Sequence, residues 1–138
     1  MNYKKYLGIT IIIVGLVLIY YQFFFLSKIP LPADLLVGAY YPWLDYKWGY
    51  EVGVPVKNPP ITDVVSQLYP WRILAISYLK EGIWPLWNPL SSSGVPLLAN
   101  YQSAPFLPLN FLLLLPTNVG WGLYIFSQTL IACLGMYF

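Results

Sequence analysis

Histidine is absent from this sequence, and charge is scarce: seven Lys and Arg and five Asp and Glu make up only 9% of 138 residues. Without histidine, the commonest general base and the commonest nitrogen ligand for zinc, copper or iron are missing. A metal bound by these residues is therefore a hard ion held by oxygen. Soluble domains carry about a quarter charged residues, so the few charges here cannot cover a fully water-facing surface. Part of that surface must face lipid. The formal charge of +2 is small and scattered, which excludes a nucleic-acid partner. A lone cysteine, Cys133, excludes any disulfide within the chain. There is no phosphate-cradling glycine loop, no G-x-S-x-G, no zinc spacing and no nucleophile–histidine pair.

What is present is apolar and aromatic, 59% and 19% of residues. Tyr6 to Leu26 (YLGITIIIVGLVLIYYQFFFL) holds no charge, and as a helix it is long enough to cross a ~30 Å hydrocarbon core. Lys4 and Lys5 precede it and aromatic residues crowd its far end, which predicts a cytoplasmic tail at 1–5 and a transmembrane helix at 6–26. A signal peptide is the alternative, but the apolar run is long and no A-x-A site follows it. A second uncharged run at 119–138 predicts another crossing. No aromatic belt or basic stop marks its end, so the chain reads as the amino-terminal portion of a longer polytopic protein, whose remaining helices would be its partners.

Between them, residues 27–118 carry all thirteen prolines, all five acidic residues and five of the six tryptophans. So many prolines forbid one continuous helix, while the apolar content is too high for disorder. The expected fold is an all-α membrane protein in which two transmembrane helices flank a long extracytoplasmic loop of short interfacial helices. Within the loop a helix is expected at about 62–82, capped by Thr62, kinked or split by Pro70 and ended by Gly82. Ala104 to Leu115 is apolar, broken by Pro105 and Pro108, and too short to cross. It reads as an interfacial or re-entrant piece.

Chemistry falls to carboxylates and amides outside the apolar runs. Asp63 starts the expected helix, where the dipole and free N–H groups favour an anion. There it can accept a proton from a sugar hydroxyl or hold a divalent cation, or simply stabilise the helix end by ~0.3–1 kcal/mol. Asp45, in AYYPWLDYKWGY, is flanked by rings that suit either a sugar or a membrane interface. Asn88, Asn100 and Gln102 can bond a polar ligand or serve turns. Asp34, Glu51 and Glu81 read as solvated charges. The expected membrane spans hold no ionisable residue, which argues against a transporter, and Gln22 and Gln128 are explained by helix–helix hydrogen bonds.

With Asp63, Gln67, Pro70, Gly82, PLWNP, Gly94 and LLANYQSAPFLPLN laid out, nearly half the chain resembles the amino-terminal part of bacterial YfhO-like membrane proteins, relatives of the GT-C glycosyltransferases. The resemblance implies a protein of the bacterial cytoplasmic membrane that transfers a sugar from a polyprenyl-phosphate donor to an extracytoplasmic acceptor. It implies an essential acid in the first outer loop, here Asp63, ahead of a helix that ends in glycine and an aromatic, here Gly82 and Trp84. Gln67, Trp84, Asn88, Asn100, Gln102 and Asp45 are the expected substrate contacts. Many members pair the acid with a second one and use a divalent cation, Mg or Mn. Here Val64 follows Asp63. A weakly basic carboxylate would need partial burial or a cation to work well. The alternative is a non-catalytic membrane scaffold or a glycan- or lipid-binding protein.

Overall fold

The computed structural model describes residues 3–138, so the first two positions of the expected tail at 1–5 lie outside the described residues. The chain is mostly helical and divides into two compact units. One comprises the chain up to Pro30 together with Phe106–Phe138; the other is Leu31–Pro105.

In the first unit, α1 spans Tyr3–Ile19 and α2 spans Tyr21–Leu26. The single helix expected at 6–26 is thus interrupted at Tyr20, whose backbone leaves the helical region (φ −92°, ψ 20°). No proline or glycine sits there. The Tyr20 side chain is instead held by the final helix of the chain, which we number α7 (Thr117–Tyr137). Thr129 Oγ1 donates to the Ile125 carbonyl at 3.0 Å, so the Tyr20 hydroxyl is the donor in its 2.9 Å bond to Thr129. The Tyr20 ring also meets Phe126 edge-on at 5.8 Å.

At 21 residues and a mean hydropathy of 1.4, α7 is long and apolar enough to cross a membrane, the only such helix among the described residues. Pairings along it set the direction of its neighbours. The Lys5 ammonium lies over the Phe138 ring, Gly8 faces Tyr137, Tyr20 meets Thr129 and Phe23 packs on Gly122. Position falls on one side as it rises on the other, so the α1–α2 arm and α7 are antiparallel. A Cβ at Gly122 would enter the Phe23 ring, so the small residue is what lets the ring approach. Gln128, expected to bond between helices, instead donates to the Tyr124 hydroxyl within α7 at 2.6 Å. The Ala104–Leu115 stretch contains a 3₁₀ helix, α6 (Pro108–Leu114), that packs against the start of α7, with Leu113 buried.

In the second unit, α3 is Ala33–Ala39, followed by a 3₁₀ segment over Trp43–Gly49. The helix expected at 62–82 forms in pieces. A 3₁₀ turn, Pro59–Ile61, leads into a wide π-helical stretch, α4 (Val64–Leu68), and then the α-helix α5, Tyr69–Lys80. Pro70 stands in the first turn of α5, directly after the π-helical stretch. Gly82, at φ +72°, closes the helix as expected. Its N–H reaches the Leu79 carbonyl and that of Ile83 reaches Tyr78, the paired bonds of a Schellman end. The expected Thr62 cap does not form. Thr62 is already helical (φ −54°, ψ −31°), and its carbonyl, not its side chain, takes the bonds from Val65 N, Ser66 N and Ser66 Oγ. A small antiparallel ladder, β1 (Trp87–Asn88) on β2 (Val95–Pro96), departs from the all-α expectation.

Candidate functional site

The expected site residues belong to three local structures of the second unit. Asp63 and Gln67 share one turn, because residues four apart lie on the same face. Asp63 is exposed, and no side-chain bond ties it to the helix start. The partial burial expected of it among the loop aromatics is not supplied by these residues. Trp84 lies two positions beyond Gly82 and is 65% exposed. The order acid, helix, left-handed glycine, exposed indole is present along the chain.

Asn88 and Asn100 are turned to structural work. Asn88 is 2% exposed; its amide donates to Ser91 Oγ at 2.8 Å and its Oδ1 accepts the Leu90 N–H at 2.9 Å. Asn100 Oδ1 accepts the Gln102 N–H at 3.0 Å, and the Asn100 carbonyl accepts from buried Ser103. These are side-chain-stabilised turns, the second of the two roles their types allow. Arg72 Nε donates to the Gln102 carbonyl at 3.2 Å, so α5 and the 100–103 turn are joined through Gln102 backbone while its side chain stays exposed.

Asp45 lies in the 3₁₀ segment, exposed among rings. Trp43 and Tyr46 are 6.4 Å apart, Tyr46 and Trp48 5.9 Å, and the Trp48 indole donates to the Trp43 carbonyl at 3.0 Å. Lys47 and Trp48 both take positive φ, 53° and 50°, which folds this aromatic ladder back on itself. Leu36, Tyr40, Tyr41 and Trp43 face Val65 and Ser66 of α4 across a surface cleft of about 190 Å³.

Asp34, a solvated charge by its sequence context, has a fixed role in the fold. Asp34 Oδ2 accepts the Lys57 N–H at 2.9 Å and pins the 54–57 segment to α3. Gly38 makes that approach possible, since a Cβ there would lie 2.5 Å from the Val54 carbonyl oxygen. The signal was faint in sequence because the partners stand 23 positions apart.

Among the described residues no group of three His, Cys, Asp or Glu side chains comes together to hold a metal ion. With Val64 where a second acid would stand, these residues do not by themselves fit the divalent cation that the resemblance implies. No family model matches the chain, and neither a curated protein nor a solved structure matches it.

Proposed function

We propose that this chain is the membrane-embedded amino-terminal portion of a polytopic bacterial glycosyltransferase of the GT-C kind, with Asp63 as the residue that engages the acceptor. In this reading α1–α2 and α7 both cross the cytoplasmic membrane, the amino terminus is cytoplasmic, and the loop 27–118 is extracytoplasmic. Lys4 and Lys5 before the first apolar arm, and the antiparallel pairing of that arm with α7, support the topology.

The observation that carries the functional reading is the contrast between two carboxylates. Asp34 is committed to the Lys57 N–H, whereas Asp63 stands exposed without a capping bond, directly ahead of the helical stretch that Gly82 closes. In this reading the Asp63 carboxylate accepts the hydrogen bond of an acceptor hydroxyl. The hydroxyl oxygen attacks the anomeric carbon, the bond to the polyprenyl phosphate breaks with its electrons going to the phosphate, and the hydroxyl proton passes to the carboxylate. Configuration inverts. The donor is held by parts of the full-length protein beyond these residues.

A second reading, a non-catalytic scaffold or a glycan- or lipid-binding protein, is favoured by the inward commitment of Asn88 and Asn100. Asp63→Asn in the full-length protein separates the two. Transfer from a radiolabelled polyprenyl-phosphate sugar in isolated membranes falls by about 10²–10⁴ if Asp63 handles the proton, with membrane insertion unchanged. Undiminished transfer rejects the catalytic role.

A further inference from the structure

The cleft between the 40–43 segment and α4 is unassigned by anything above, and its composition is selective. Three of its six lining residues are aromatic: Tyr40, Tyr41 and Trp43, respectively 36%, 74% and 43% exposed. Leu36 and Val65 complete the apolar wall, and Ser66 is its aliphatic-alcohol contribution. At about 190 Å³ it lies below the ~300–1,000 Å³ of sites for drug-sized ligands, on the scale of a single ring.

Its polar edge is equally specific. The Ser66 hydroxyl spends its proton on the Thr62 carbonyl at 2.9 Å, which leaves its lone pairs as acceptors. From α4 only Val65 and Ser66 line the cleft, and Asp63 and Gln67 stand outside that lining. The wide π-helical winding of α4 is a form frequent at functional sites. A flat molecule with C–H groups on its faces and hydroxyls around its rim matches rings on one wall and acceptors at one edge. An acyl chain would leave those acceptors without donors.

We propose that this cleft binds one pyranose ring of the glycan acceptor, stacked on Tyr41 and Trp43, with a ring hydroxyl turned toward Ser66. The inference rests on the glycosyltransferase reading and names the acceptor class of that site. Saturation-transfer NMR on the full-length protein in lipid nanodiscs tests it, with the methyl glycosides of glucose, galactose and N-acetylglucosamine as probes. At least one shows saturation of its ring C–H protons. Tyr41→Ala and Trp43→Ala each reduce it about fivefold, the scale of one aromatic contact, while Glu81→Gln, away from the cleft, leaves it unchanged. Tyr41 is largely exposed, so its truncation leaves the fold intact. Absence of saturation for all three glycosides, or saturation undiminished in both aromatic variants, overturns the cleft assignment. Asp63→Asn distinguishes the two levels: retained saturation with lost transfer upholds both. Retained saturation with retained transfer upholds the cleft and rejects the catalytic role.

Discussion

In the unit formed by the chain up to Pro30 and Phe106–Phe138, side chains meet ring on ring and ring on glycine. Polar groups there are satisfied both within α7, as Gln128 is by Tyr124, and by partners far along the chain, as the Tyr20 hydroxyl is by Thr129 and the Trp121 indole by the Pro30 carbonyl. In Leu31–Pro105 the backbone is held by side-chain bonds across turns: Asp34 to Lys57, Asn88 to Leu90 and Ser91, Arg72 to Gln102. Several residues there also take left-handed backbone, Lys47, Trp48, Ser92 and Ala104 among them. The first arrangement suits a solvent that offers no hydrogen bonds, where every polar group must find a partner nearby. The second spends carboxylates and amides on shape. What it leaves unspent, Asp63 above all, is what can be offered to a ligand.

The contrast breaks most readily at Asn88. Asn88→Ala removes two bonds from a buried turn and leaves the Leu90 N–H unpaired, at a cost of about 3 kcal/mol. Protease cleavage within 31–105, followed in nanodiscs, accelerates accordingly, whereas cleavage outside that segment does not. Two glycines then compare the units directly. Gly38→Ala sets a methyl 2.5 Å from the Val54 carbonyl, a backbone group that cannot step aside. Overpacking of ~3 kcal/mol, less ~1 kcal/mol gained in helix propensity, gives a net loss of about 2 kcal/mol by the same proteolysis assay. Gly122→Ala meets the Phe23 ring, a side chain that can turn. Its net cost is smaller, about 1 kcal/mol, read by detergent-induced unfolding. Equal costs at the two glycines would erase the distinction between backbone-walled and ring-walled packing.

Much of the helical layout was legible because it rests on local rules. The apolar run at 119–138 forms α7 two residues earlier than expected, Pro70 falls in the first turn of α5, and Gly82 takes the positive φ that ends it. What escaped depends on partners distant in the chain. The break at Tyr20 is held through Thr129, and Asp34 finds its role only when Lys57 is brought beside it. Thr62 lost its capping role because the 3₁₀ turn at Pro59–Ile61 extends helical backbone past it, so the helix start lies earlier than its composition suggested. At the candidate site, Asp63 and Gln67 could be placed together by spacing alone. The meeting of Tyr41 and Trp43 with Ser66 could not, because it depends on how α3 packs on α4.

Cysteine accessibility in intact cells tests the membrane placement on which the account turns. In a Cys133→Ser background, single cysteines replace Glu81, exposed beside Gly82, and Lys5, at the foot of the first apolar arm. A membrane-impermeant maleimide labels Glu81→Cys from outside and reaches Lys5→Cys only after the membrane is opened. Labelling of Lys5→Cys but not Glu81→Cys in intact cells would put Asp63 on the cytoplasmic side and contradict the account.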